Sequence, residues 1–322
     1  GLECEEADLG DLGKDSMDNQ PGLECEETEE REEQQEAQPA GGERSWVPGP
    51  EEEGRAGEIQ TASLAEAYLD VCEAGPFTPA RMAQLVAVGD TLVQAAEGWL
   101  HAAQAIKKAW SSRHGRHLDG ILDPSLDGLL DDQLLNYLRS VARDGAPARQ
   151  PPINTRVTAK PHRSAADHVQ EAYQKLWKDA QQGRILVCSN GSDAFLRGVA
   201  ASPWGRVPKL NPDRTVSPEG RFVHDQRTVN LTGSKYDHPP ALQPRHAAVA
   251  RRVLWWKTRH PEAPVLVAKR DIADAFKWIW VRDEDAGLFA TELPGQSLGL
   301  DNSVVAIFLV LTFGWIGSPG EY

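Results

Sequence analysis

The sequence is poor in cysteine, has no long apolar run, and has hardly any apolar residue in its N-terminal stretch. Four cysteines, Cys4, Cys25, Cys72 and Cys188, stand among 322 residues. They are too few and too scattered for a disulfide framework or a zinc site, and they fit a reducing compartment. The longest apolar run, 304–311, is eight residues, whereas a helix crossing a bilayer takes about 20. The first residues are acidic, where a secretory signal is basic and then apolar. An intracellular protein, cytoplasmic or nuclear and without a membrane partner, is expected.

The net charge of −14 is unevenly placed. Residues 1–60 carry 20 Asp and Glu against 4 Lys and Arg, so the remainder is close to neutral. A segment with so little to bury cannot offset its ordering entropy, and residues 1–58 are expected to be disordered. They include a repeat, Gly1-Leu-Glu-Cys-Glu-Glu6 and Gly22-Leu-Glu-Cys-Glu-Glu27, but two copies do not make a stacking array. In 201–270 the balance reverses to 13 Lys and Arg against 5 Asp and Glu. That basic segment suits a polyanion partner.

Helical periodicity dominates 59–145. Thr78 offers an N-cap with Pro79 at the first helical position. Leu85, Val88, Leu92, Ala96, Trp99, Ala103, Ile106 and Trp110 then fall on one continuous face. A second helix is bracketed by Asp123-Pro124 and Gly145, with Leu126, Leu129, Leu130, Leu134, Tyr137, Leu138 and Val141 as its apolar set. His101, His114 and His117 lie nearby without a cysteine partner, which argues against a metal site there. Residues 146–163, rich in Pro, Ala, Arg and Thr, read as a linker.

From 164 onward helix and strand signals mix, and an α+β fold is expected. A helix capped by Ser164 buries Val169, Ala172, Tyr173, Leu176 and Trp177, stops at Gly183, and leads into a strand over 184–188. Pro203 and Pro208 mark 202–209 as an edge strand. Residues 211–220 form its hairpin connection and 221–229 the second strand. A basic helix over 245–260, with Val249, Val253, Leu254 and Trp256 as apolar points, precedes a short buried strand at 265–268. That strand delivers Asp271 and Asp274. A carboxylate at a buried strand end needs solvent, a partner or a cation, and aspartate oxygens suit Mg²⁺. Residues 275–280 read as helical or turn-like, and 286–294 and 304–311 as further strands.

Three blocks, Gly220-Arg-Phe-Val-His-Asp-Gln-Arg-Thr-Val-Asn230, Asp271-Ile-Ala-Asp-Ala-Phe276 and Phe313-Gly-Trp-Ile-Gly-Ser-Pro319, occur in the order and approximate spacing of the fingers motif and the first two palm motifs of reverse transcriptases. The chain from about Val169 to Tyr322 resembles the RNA-directed DNA polymerase of a retroelement. The resemblance implies a right-hand polymerase fingers and partial palm over 164–322, preceded by a helical region (59–145) and an acidic tail (1–58). The implied partners are an RNA or DNA template with its primer, and deoxynucleoside triphosphates.

By this resemblance Asp271 is the catalytic carboxylate, binding two Mg²⁺ or Mn²⁺ ions with the backbone carbonyl of Ile272. Two-ion chemistry activates the primer hydroxyl and stabilises the leaving pyrophosphate. Asp274 and Ala275 match positions beside the triphosphate, and Phe276 matches the aromatic that leaves no room for a ribose 2′-hydroxyl. Arg221 falls over the incoming base and α-phosphate, where a guanidinium both stacks and donates. Arg214 matches a γ-phosphate contact. Phe313 and Gly314 adjoin the nucleotide sugar and template base, while Asp225, Arg227 and Asn230 tie the fingers together or touch template. The family's aromatic-x-Asp-Asp motif is expected a few tens of residues beyond Gly317, and the sequence ends at Tyr322. One of three metal carboxylates is therefore in hand, and the thumb and ribonuclease H regions are implied partners. A chain inactive by itself is expected. The alternative is a non-catalytic remnant acting as a nucleic-acid or protein interaction module.

Overall fold

A computed structural model describes residues 50–115, 122–126, 128–211, 213–241, 245–268 and 272–322, with side chains from 57 onward. Its helices are α1 (Pro50–Glu73), α2 (Pro79–Ala95), α3 (Trp99–His114), α4 (Asp132–Asp144), α5 (Arg163–Ala166), α6 (Val169–Gln181), α7 (Arg227–Asn230), α8 (His246–Arg259) and α9 (Ser318–Glu321). Its strands are β1 (Ile185–Ser189), β2 (Trp204–Leu210), β3 (Val216–His224), β4 (Ala290–Leu293) and β5 (Val304–Phe308). The described residues all belong to one compact α+β unit, Pro48–Tyr322. No described helix is long and apolar enough to cross a membrane.

The core is an antiparallel three-stranded sheet in the order β1-β5-β4, and every residue of its strands is buried. Neither outer edge is left to solvent. Along β1, the Tyr68 hydroxyl of α1 donates to the Ile185 carbonyl at 3.2 Å and accepts from the Val187 N–H at 3.0 Å. Asp90 of α2 accepts from the Ser189 N–H at 2.7 Å, and Gly89 packs so closely that a Cβ would lie 1.8 Å from the Val187 oxygen. Along β4, Ser202 N–H donates to the Ala290 carbonyl at 2.8 Å. Unpaired strand edges carry unsatisfied backbone groups, and these contacts satisfy them.

Several local signals act as the sequence predicts. Thr78 caps α2, accepting from the Arg81 N–H at 3.1 Å. Gly183 adopts φ +64° after α6, where a Cβ would strike the Trp110 ring. Strands β2 and β3 pair only with each other, so Pro208 does lie on an edge strand, while Pro203 stands just before it.

Other expectations are corrected. The continuous face from Leu85 to Trp110 is two helices, broken where Glu97 (φ 54°) and Gly98 (φ 156°) leave helical geometry. Ser164 lies inside the short α5 rather than capping α6, and its hydroxyl accepts from the Arg206 N–H at 3.1 Å. Helix α4 begins at Asp132, capped by Asp131, and buries only Leu135. The strand expected over 221–229 runs instead over Val216–His224, taking in half of the expected connection and ending early because Arg227–Asn230 coil into α7. Helix α1 starts at Pro50, inside the stretch expected to be disordered; its later turns bury Ala65, Tyr68, Leu69 and Cys72, and helix propagates cheaply back from such an anchor. Residues 1–49 lie outside the described set. The expected linker is woven into the fold: Ala146 N–H donates to the Trp280 carbonyl at 2.7 Å and Val157 N–H to the Val199 carbonyl at 2.9 Å. The helical region and the sheet thus share one core.

The largest correction concerns 265–268. This run is no strand and is not buried: Leu266 is 90 % and Val267 70 % exposed. A strand needs a neighbour's free edge, and both edges of the sheet are already covered. The extension of β5 is likewise occupied, since Val281 N–H donates to the Leu309 carbonyl and Leu311 N–H to the Ile279 carbonyl, each at 3.0 Å.

Candidate functional site

The apolar β5 carries the chain out of the core at Leu311, and the next residues form a tight, Gly-rich bend. Thr312 is buried and donates to the side chain of Gln226 at 3.0 Å. Gly314 has φ +113°, and a Cβ there would lie 2.3 Å from the His224 carbonyl oxygen, so glycine is required on both counts. Asn230 brackets the bend: its Nδ2 donates to the Gly314 carbonyl at 2.8 Å and its Oδ1 accepts from the Ile316 N–H at 3.0 Å. Ser318 closes it by donating to the Thr312 carbonyl at 2.7 Å.

This bend presents Phe313, 45 % exposed, to the ring of Phe276. Phe276 packs on Phe313 with centroids 4.7 Å apart, and Tyr322 meets Phe276 edge-on at 5.5 Å. Tyr322 is placed by its neighbour Glu321, whose buried carboxylate accepts from the Tyr137 hydroxyl, from Arg149 Nε at 3.2 Å, and bonds His238 Nδ1 at 2.7 Å. Burial, and then the Glu321 carboxylate, push the Tyr137 phenol up to about 12.

Phe276 sits in a single 3₁₀ turn, Ala275–Trp278, entered through Asp274 at φ 55°. The Asp274 carboxylate pairs with Arg184 Nη1 at 3.1 Å, and the same guanidinium lies 3.6 Å from Asp179. Lys277 donates to Asp179 at 2.6 Å. Asp274 therefore ties the turn to the junction of α6 and β1. Ala275 is half-buried and Ile272 is exposed. Asp271, with Lys269 and Arg270, lies outside the described residues.

The base of the hairpin approaches the sheet through Trp204, tilted against Phe308 at 5.8 Å, and His224, edge-on to it at 4.6 Å. Burial, and to a smaller degree the charge of Lys277, lower the pKa of His224 to about 3. Phe222 stacks on Trp204 at 5.3 Å. Strand alternation then turns Arg221 to the opposite, exposed face. Arg214 occupies the exposed hairpin turn at φ 66°. Asp225 holds Arg227 with two bonds, 2.7 Å and 2.6 Å, and meets His162 Nε2 at 3.0 Å. Those partners, Arg227 foremost, hold its carboxyl well below the usual carboxylate range. His162, Asp225, Arg227, Asn230 and Leu231 line an open cleft of about 640 Å³.

The structure thus gathers Asn230, Phe276, Phe313 and Gly314, and leaves Arg214 and Arg221 on the hairpin surface. Sequence reasoning missed Tyr322, Gln226 and His162, since nothing local in the sequence marks their partners. Among the described residues no three His, Cys, Asp or Glu side chains form a metal cluster. Of the two expected metal ligands, Asp271 lies outside the described residues and Ile272 is exposed. No protein-family model matches the sequence, and no curated protein matches it.

Proposed function

We propose that residues 164–322 are the fingers and part of the palm of a retroelement RNA-directed DNA polymerase, acting inside the cell in the cytoplasm or nucleus. The observation that carries this reading is the meeting of three sequence-remote blocks at one bend. Asn230 holds Gly314 while Phe276 packs on Phe313, and each of these residues belongs to a block that resembles a polymerase motif. A pair of aromatic rings, Phe313 exposed and Phe276 half-buried, beside a glycine that lets the backbone approach closely is suited to a flat base and a sugar.

In this reading Phe276 lies under the deoxyribose and excludes a 2′-hydroxyl by its bulk. Phe313 supports the sugar and the template base, and Gly314 allows the close approach. Arg221 and Arg214, carried on the exposed hairpin, serve the triphosphate once nucleotide and template are bound. Asp225, Arg227 and Asn230 line the template side. In this reading the chain by itself binds substrate and template. Phosphoryl transfer with Mg²⁺ or Mn²⁺ requires further carboxylates to join Asp271. A second reading, a non-catalytic binding module, is favoured by the engagement of Asp274 with Arg184.

The test is binding of a deoxynucleoside triphosphate to the chain on a labelled primer–template. The reading predicts saturable binding that Arg221→Ala weakens about tenfold, because a charge-assisted hydrogen bond to phosphate is removed. Absence of nucleotide binding at millimolar concentration contradicts it.

A further inference from the structure

Helix α8 buries none of its residues, an unusual state for a helix with two adjacent tryptophans. Trp255 and Trp256 are 40 % and 42 % exposed and meet edge-on at 5.0 Å. The guanidinium of Arg252 lies 5.0 Å, and that of Arg259 4.3 Å, from the Trp255 ring. At 3.6 residues per turn, Arg252, Trp255, Trp256 and Arg259 fall within about 100° of arc. Arg245 stands at the N-cap of the same helix. No Asp or Glu occurs between His238 and Pro261, so nothing in this segment neutralises the stripe.

We propose that this face of α8 is a docking surface for single-stranded nucleic acid, with the two indoles stacking on bases and the arginines contacting phosphates. Three features select that partner. The stripe is cationic without internal neutralisation, which matches a polyanion. Aromatic rings lie among the charges, and base stacking on exposed aromatics is the common mode of single-strand binding. A membrane-surface helix instead separates its apolar and basic faces; here the tryptophans share the arginine stripe while Leu254 lies on another side of the helix, 65 % exposed. The inference rests on the polymerase reading only for which strand is bound, a template running past the hairpin. The binding itself needs no nucleotide site.

The test is fluorescence anisotropy with labelled oligouridine and oligothymidine of about 16 nucleotides, using the whole chain over a range of salt. Arg252→Ser with Arg259→Ser is expected to weaken binding and lower the salt slope by about 1.4, roughly 0.7 for each phosphate no longer neutralised. Trp255→Ala with Trp256→Ala is expected to weaken it at least about tenfold at all salt concentrations. Neither change touches a buried residue, so melting temperatures should match wild type. Ultraviolet cross-linking of the unaltered chain should place the oligonucleotide on the peptide containing Trp255 and Trp256. Unchanged affinity in both variants, weakening in the arginine variant alone, or binding to anionic phosphatidylserine vesicles without binding to oligonucleotide would each overturn the proposal. Failure of nucleotide binding with oligonucleotide binding preserved would remove the polymerase reading and leave the role of α8 standing.

Discussion

Asn230 holds the bend at Gly314 from two directions, donating to its carbonyl at 2.8 Å and accepting from the N–H of Ile316 at 3.0 Å. One side chain of the 220–230 block thereby fixes the backbone that presents Phe313. A net hydrogen bond contributes about 0.5–1.5 kcal/mol, so Asn230→Ala is expected to destabilise the chain by about 1–2 kcal/mol. Chymotrypsin should also cleave faster after Phe313. Unaltered melting and cleavage would show that the bend is held by other contacts.

Gly89 decides how closely α2 lies on β1. In an exposed helix interior Gly→Ala is worth up to about 1 kcal/mol of added stability. At Gly89 the new methyl would stand 1.8 Å from the Val187 oxygen, and overpacking of that kind costs about 1–3 kcal/mol. Gly89→Ala should therefore lower the melting temperature, while Gly57→Ala, which meets nothing within 4 Å, should not. Thermal unfolding of the two variants side by side checks the opposite signs.

His224 gives stability a pH dependence. Its folded pKa is lowered from 6.5 to about 3, so below 6.5 the unfolded chain takes up a proton that the folded chain refuses. Stability falls as pH drops through that window, by about 2 kcal/mol at about pH 5, and this group contributes no slope above it. Asp225, whose carboxyl is held low by Arg227 and His162, adds a further loss only on protonation in stronger acid. The exposure of its partner Arg227 keeps that addition small. His224→Phe keeps an aromatic ring against Phe308 and should flatten the melting curve between about pH 6.5 and 4. A variant with the wild-type slope would place the titration elsewhere.

The parts of the fold legible in the sequence are those set by neighbours along the chain. Thr78 with Pro79 caps α2, Gly183 ends the run after α6, and the apolar stretches at β1 and β5 are buried as their composition requires. What escaped depends on residues far apart. The sheet edge that 265–268 needed is taken by Tyr68 and Asp90, residues of helices that carry no mark of that duty. The break at Glu97 and Gly98 lies inside an unbroken apolar periodicity, so periodicity alone joins α2 to α3. In the candidate site, the blocks around Asn230, Phe276 and Gly314 were readable as motifs. Their convergence, the stacking of Tyr322 and the Arg184–Asp274 pair were not, because no spacing rule connects them. The stripe on α8 was visible only in part: Arg252 and Arg259 are seven residues apart, a spacing that keeps one helix face, but Trp256 reads as an apolar point until its exposure is known.

The most direct measurement compares binding of a matched deoxy- and ribonucleoside triphosphate to the wild-type chain and to Phe276→Val, on primer–template, with melting temperatures recorded alongside. If the ring of Phe276 lies under the sugar, wild type prefers the deoxynucleotide and the valine variant loses that preference about tenfold or more, about 1.4 kcal/mol of discrimination, while melting stays near wild type. If Phe276 serves only to pack against Phe313 and Tyr322, truncation leaves a cavity, toward the roughly 3–5 kcal/mol known for Phe→Ala. The preference ratio then stays unchanged while the melting temperature falls, and that result contradicts the account.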